Sequence, residues 1–580
     1  MHNSTDWNSK MFAKKDFAVL LAAAGDIDND GDLDIYVTTQ FADQFLLFVN
    51  DGTGSFNEEA IPRGAKVEMD SAFSTDRLGT GVSMGDYDRD GFLDIHTNEW
   101  ASRSDQPDFG IGSYTATAAR LLHNRGASLP GFFEDITLEA GAALHDVPAS
   151  YISGQPVYGV FSFASQFADI DQDGYADLVV AGDFSSSRLF WGKADGTFTD
   201  GTDLAGVGTD ENGMGLNLGD YDGDGDLDLF VTSIFDADDP CGEGICNWGS
   251  TGNRLFRYDG NRQFTDQTDF AGVREGGWGW GTTWLDYDND GDLDLAMTNG
   301  FDVGDLNDPT DLDYKFNGDP MRLWRNDGNF KFTEVSIDMG ITDTRQGRGL
   351  LTLDYDNDGD LDLFVINNSD SPVLYRNDTI TESSTNGNAW LKIDTIGTDS
   401  NRDGIGTQII IDPDSSAGGD EIFREVSGAN TYLAQSDTIV HLGLGTWTGN
   451  IDQVSVIWPS GYTQEFSGVT PNELITITEG LLADFDDDDS VDDSDLIVWE
   501  SNVGTTGSAG PADGDANRDG GVDGADFLFW QRAYGKSVVS GLSNGNSSGS
   551  ITVPEPSAIW ILAAGLLVMV LVSETGLGEK

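Results

Sequence analysis

"GDIDNDGDLDIYV", Gly25 to Val37, sets five aspartates into nine positions, from Asp26 to Asp34, and then turns apolar. Like charges that close repel, and ionised carboxylates are costly to desolvate. The pattern D-x-D-x-D-G-x-x-D begins at Asp26, Asp86, Asp169, Asp220, Asp286 and Asp354, at intervals of 60, 83, 51, 66 and 68 residues. Each copy runs into an apolar stretch such as "LDIYV", "ADLVV" or "LDLFV" that reads as a strand. Most copies are followed by a second element: "LLFVNDGTGSF", "RLFWGKADGTF", "RLFRYDGNRQF", "RLWRNDGNFKF". The Asp-Gly pairs at Asp51, Asp195, Asp259 and Asp327 are hairpin signals. Each unit is therefore a small antiparallel sheet, and six units of this size fit propeller blades better than a solenoid. The expected fold is mainly β.

The aspartates explain themselves as ligands. Oxygens at positions 1, 3 and 5 of a tight loop converge on one point, position 7 adds a carbonyl, and position 9 closes the shell. Gly at position 6 permits the turn. An all-oxygen shell of this size suits Ca²⁺ over Mg²⁺. The candidates are Asp26, Asp28, Asp30, Asp32 and Asp34; Asp86, Asp88, Asp90 and Asp94; Asp169, Asp171, Asp173 and Asp177; Asp220, Asp222, Asp224 and Asp228; Asp286, Asp288, Asp290 and Asp294; and Asp354, Asp356, Asp358 and Asp362. The competing reading is six acidic surface turns without metal. Each would then carry about four mutually repelling charges.

Composition agrees. The chain has 580 residues, 101 Asp plus Glu against 30 Lys plus Arg, and a formal charge of -71, which excludes nucleic acid and anionic lipid as partners. Its length calls for several domains.

Residues 17–378 resemble the FG-GAP/VCBS repeats of integrin-like β-propellers, whose mark is the "GDYDNDGDLDLFV" loop followed by an "RNDG…F" hairpin. The resemblance implies a disc of six or seven blades over 1–388, with Ca²⁺ in each of about six loops. With six loops visible, either a blade is missing near the N-terminus or another strand completes the first. The segment 389–479 resembles the ASPIC/UnbV domain through "NRDGIGTQI", "REVSGANTYLAQSD", "HLGLG" and "VIWPSG". That domain is known from acidic cartilage matrix proteins and bacterial secreted proteins. Arg402, Asp403, Arg424 and His441 within it read as structural.

Two further loops, "DFDDDDSVDDSD" and "DANRDGGVDGAD", place oxygens at Asp484, Asp486, Asp488 and Asp495 and at Asp515, Asn517, Asp519 and Asp526, with an apolar run of helical length after each. The pair, 480–536, resembles a dockerin type I module. This implies up to two more Ca²⁺ sites and a cohesin as partner; the alternative is a Ca²⁺-stabilised spacer. A Gly/Ser/Asn linker is expected over 537–552. The segment 553–580 opens with Val553, Pro554, Glu555 and Pro556 before a 15-residue apolar run, Ala558 to Val572. It resembles a PEP-CTERM sorting signal, which implies an exosortase-type processing enzyme and contact with a membrane. Cys241 and Cys246 form a candidate loop disulfide.

No catalytic motif survives. "GVSMG", Gly81 to Gly85, fits a nucleophile elbow, but Gly81 recurs in the repeat frame at Gly215, Gly281 and Gly349 while Ser83 does not. The five histidines are scattered. The reading is an exported, cell-surface or extracellular calcium protein that binds a protein or glycan and does no chemistry. The alternative is a carbohydrate-active protein, a polysaccharide lyase or hydrolase-associated propeller.

Overall fold

The computed structural model describes residues 21–39, 44–67, 79–100, 119–144, 148–152, 155–158, 161–237, 251–301, 316–368, 370–379, 387–416, 421–428, 432–538 and 541–544. The Cys241–Cys246 pair and the segment 553–580 lie outside the described residues. Among those described, no helix is long and apolar enough to cross a membrane.

Six small antiparallel sheets carry the repeats. The first is Leu21–Gly25, Asp34–Thr38, Leu46–Asn50 and Phe56–Glu58, each strand paired with the next in sequence. The others begin at Gly79–Gly85, Ser162–Ala168, Leu216–Gly219, Gly279–Leu285 and Gly347–Leu353. Five sheets have four strands, while the sixth ends after three, at Val373–Tyr375. In every one the acidic loop joins the first strand to the second, so position 9 is always the first residue of a strand. "GVSMG" lies inside the strand Gly79–Gly85.

The first strands pack side by side in chain order, from Leu21–Gly25 round to Gly347–Leu353. A Cβ on Gly81 would stand 2.4 Å from the Phe163 carbonyl; on Gly215, 2.2 Å from that of Trp280; on Gly281, 2.4 Å from that of Arg348. Only glycine allows this approach, which is why it recurs. Gly349 meets the same demand, at 2.6 Å, but from the carbonyl of Leu433. That residue belongs to the next domain. The backbone N–H of Ala24 donates to Gln435 Oε1 (2.7 Å), and Gln435 Nε2 donates back to the Ala24 carbonyl (3.0 Å). On the other side Asp437 N–H donates to the Thr352 carbonyl at 3.3 Å. The segment Tyr432–Asp437 is thus wedged between the sixth inner strand and the first.

The rest of that domain is two four-stranded sheets, built on Ala389–Ile396 and Gln408–Asp412. Ala389–Ile396 pairs parallel with Leu474–Thr478 and antiparallel with Val440–Gly445. One apolar core runs through ring and domain, from Ala23 and Phe163 to Tyr432 and Ile477. Beyond it stand two helices, Asp493–Asn502 and Gly524–Ala533, over a small core of Leu481, Phe485 and Val491. One expectation needs correction. Within the stretch read as a linker, Gly541–Asn544 forms an edge strand on Leu474–Thr478. Its ladder uses backbone groups alone, so a side-chain pattern does not announce it.

Candidate metal centres

The loop geometry repeats bond for bond. The position-1 carboxylate accepts the N–H groups of positions 5 and 6: Asp26 from Asp30 and Gly31 (3.0 and 2.7 Å), Asp286 from Asp290 and Gly291 (3.0 and 2.9 Å). Asp86, Asp169, Asp220 and Asp354 do the same. Position 5 accepts the N–H of position 7, as Asp30 does from Asp32. Position 9 accepts from the end of the third strand: Asp34 from Asn50 (2.8 Å), Asp94 from Asn124 and Asp294 from Asn326 (both 2.7 Å). Positions 4 and 6 both take left-handed backbone, at φ +57 for Asn29 and +96 for Gly31. That double reversal curls the loop inward.

The curl brings the predicted residues together. One oxygen each of Asp26, Asp28 and Asp34 lie within 4.8 Å of one another, and so do those of Asp86, Asp88 and Asp90, of Asp169, Asp171 and Asp177, and of Asp220, Asp222 and Asp228. Position 3 is the telling one. Oδ1 of Asp28, Asp88, Asp222 and Asp288 is buried with no hydrogen-bond partner, as is Asp34 Oδ2. Burial pushes the Asp34 carboxyl up to about 8, and Asp26, Asp94 and Asp169 to about 7, with neighbouring carboxylates adding repulsion. Without a counter-ion these loops hold their charge poorly. The donor set is all oxygen, the chemistry of a hard divalent cation.

The loops differ in detail. Asp32, at position 7, lies with its carboxylate against Gly52 in the neighbouring hairpin. Position 5 is exposed in five loops, at Asp30, Asp90, Asp173, Asp224 and Asp290, whereas position 3 is exposed only at Asp356. The second loop gains a basic neighbour that the repeat pattern does not show: His123 Nδ1 lies 3.2 Å from Asp94 Oδ1 and 3.6 Å from Asp88 Oδ2. Hydrogen bonding to Asp94 pushes this imidazole up to about 9.

In the helix pair, Asp484 accepts from Asp488 and Asp489, and Asp515 from Gly520. Asp489 takes φ +66 where the second loop has Gly520 at +83. Asp495 and Asp526 are fully buried, and each closes a capping box at its helix start with Asp492 or Asp523. Asp515 Oδ1 is buried and unpartnered.

Family models match these segments. Residues 26–97, 169–231, 245–297 and 310–365 match the FG-GAP-like repeat, and 397–482 match ASPIC and UnbV. The chain carries FG-GAP-like repeats and an ASPIC/UnbV domain. No curated protein matches it. Among solved structures it is similar to the exotype rhamnogalacturonan lyase YesX (14% identity, 79% of this chain and 73% of that one, TM-score 0.32). It is also similar to the BP39L lectin of Burkholderia pseudomallei (12%, 67% and 98%, 0.29) and the exo-inulinase of Aspergillus awamori (10%, 78% and 90%, 0.29). Likenesses of this order fix no substrate and no chemistry.

The ASPIC/UnbV domain sits on the face where the FG-GAP loops emerge. Asp403 accepts from Asp26 N–H (2.7 Å), Lys392 Nζ reaches Asp354 (2.6 Å), and Gly445 N–H donates to the Asn289 carbonyl (2.8 Å). Arg424 Nη2 donates to the Gly291 carbonyl (3.1 Å), and His441 Nε2 bonds that of Gly359 (3.0 Å). Arg402 N–H donates to Asn29 Oδ1 (3.0 Å), so Arg402, Asp403, Arg424 and His441 all touch the loops, joined by Lys392 and Gly445.

Proposed function

We propose that the chain is an exported, calcium-dependent surface or matrix protein that binds an extracellular protein or glycan and does no chemistry. One observation carries the calcium reading. Four loops present the same buried, unpartnered oxygen at position 3, Asp28, Asp88, Asp222 and Asp288. An unmet acceptor inside a ring of carboxylates is the state a cation relieves. On this reading the FG-GAP loops hold about six Ca²⁺ by the aspartates at positions 1, 3, 5 and 9. The helix pair holds up to two more through Asp484, Asp486, Asp488 and Asp495 and through Asp515, Asn517, Asp519 and Asp526, as a dockerin-like module. The segment from Val553 serves as a sorting signal and membrane contact.

Calcium here is structural and electrostatic: it neutralises the loops on which the ASPIC/UnbV domain rests. Calorimetric titration of the metal-free chain, followed by a glycan and protein array with and without calcium, tests the reading. It expects several sites per chain and calcium-dependent capture. A melting temperature indifferent to both calcium and EDTA would contradict it.

A further inference from the structure

Where the loop face of the ring meets the ASPIC/UnbV domain, a cavity of about 330 Å³ remains. We propose that it binds one small, neutral, polyhydroxylated molecule about the size of a monosaccharide, held by Arg424, Glu425 and His441. Its volume lies at the lower end for small-molecule sites.

The argument starts from bonds not made. His441 is buried, and its Nε2–H is given to the Gly359 carbonyl, so Nδ1 is left a bare acceptor. Arg424 spends Nη1 on the Phe423 carbonyl (2.8 Å) and Nη2 on that of Gly291, and its Nε–H has no partner. Glu425 Oε2 has none either. All three residues line the cavity. Leaving such groups unmet is costly, and a ligand that meets them recovers that cost. Between them they hold one unmet donor and two unmet acceptors, and a hydroxyl satisfies either.

Charge points to a neutral ligand. Asp220, Asp286 and Asp354 border the cavity together with Arg424 and Lys392, so its lining favours no single sign of ligand charge. A cation would meet Arg424 and Lys392, and Lys392 is already paired with Asp354 at 2.6 Å. The remaining wall includes Trp284 and Phe423, apolar faces against which the C–H side of a sugar ring packs.

The inference deepens the binding reading and rests on it, yet calcium titration tests that reading separately from the sugar. The experiment is calorimetry and ligand-observed NMR on the full, calcium-loaded chain with methyl α-glucoside, methyl α-galactoside and methyl α-mannoside. At least one is expected to bind at one site per chain. Thr438→Trp, which fills the cavity, should abolish binding, and His441→Phe should weaken it at least tenfold, both with wild-type calcium stoichiometry. The proposal is overturned if none of the three binds the calcium-loaded wild type. It is equally overturned if both variants bind as the wild type does.

Discussion

Trp499 and Trp530 are exchanged across the helix pair: the indole of Trp499 donates to the Asp523 carbonyl at 2.8 Å, and that of Trp530 to the Asp492 carbonyl at 2.9 Å. Asp492 and Asp523 are the residues that cap the two helices. Each helix therefore fixes the start of the other, next to an acidic loop. Trp530→Phe keeps an aromatic ring but removes the indole N–H and its five-membered ring, a loss of at least about 1 kcal/mol. Hydrogen exchange should then accelerate in both helices, while amides of the first six sheets stay protected. Acceleration in Gly524–Ala533 alone would show that the helices are independent.

Asp290→Ala and Asp51→Ala separate a ligand from a turn. Both are exposed, but Asp290 sits at position 5 of its acidic loop, where its N–H donates to Asp286 and its carboxylate accepts from Asp292, while Asp51 accepts from Thr53 in a hairpin turn. Calorimetry should show one calcium fewer for Asp290→Ala and an unchanged count for Asp51→Ala. In the wild type a hundredfold excess over Kd should add roughly 2.7 kcal/mol per site. Equal stoichiometry in the two variants would remove Asp290 from the shell.

Acidity should act in opposite directions with and without metal. In the metal-free fold burial raises Asp26 and Asp94 to about 7 and Asp34 to about 8, against an unfolded value near 3.9. The native state then binds more protons than the unfolded chain between about pH 4 and 8. The stability these groups contribute is full below pH 4 and is lost as pH rises through 7 to 8. Calcium needs the ionised form, so its contribution grows over the same range. Denaturant melts at pH 5 and pH 8 should favour pH 5 in EDTA and pH 8 in calcium. The same order in both media would argue against metal in these loops.

Gln435→Leu should weaken the whole ring. It strips Ala24 of partners for both its N–H and its carbonyl in a half-buried place, at about 1–3 kcal/mol. The midpoint of urea unfolding should fall, and calcium should restore part of it. A midpoint like the wild type's would mean that Tyr432–Asp437 is not needed for closure.

Incubation with plant and algal polysaccharides should give no rise in unsaturated-sugar absorbance. A calcium-dependent rise that disappears in His441→Phe would instead favour the lyase reading.

The acidic loops made the six sheets legible, because one motif encodes the turn, the ligands and the first residue of the following strand. Gly81, Gly215 and Gly281 were visible as a repeat but not as a contact, since what they face lies in the next sheet. The stretch "REVSGANTYLAQSD" carries no signal of where Tyr432–Asp437 sits, because its place is set by the Gln435 side chain on the Ala24 backbone and by the Asp437 N–H on Thr352, far away in sequence. The unpartnered oxygens at position 3 appear only once the chain is folded.

The bond between Ala24 and Gln435 spans 411 residues, and the chain is made from its N-terminus. At about 5–20 residues per second, the first sheet would wait roughly 20–80 s for the residue that completes its neighbourhood. During that interval the edge of Leu21–Gly25 is open to any other strand, including one from a second nascent chain. A fold that needs its late residues to seal its early ones is vulnerable during synthesis, and a carboxylate-rich loop beside each inner strand sets like charges between such chains.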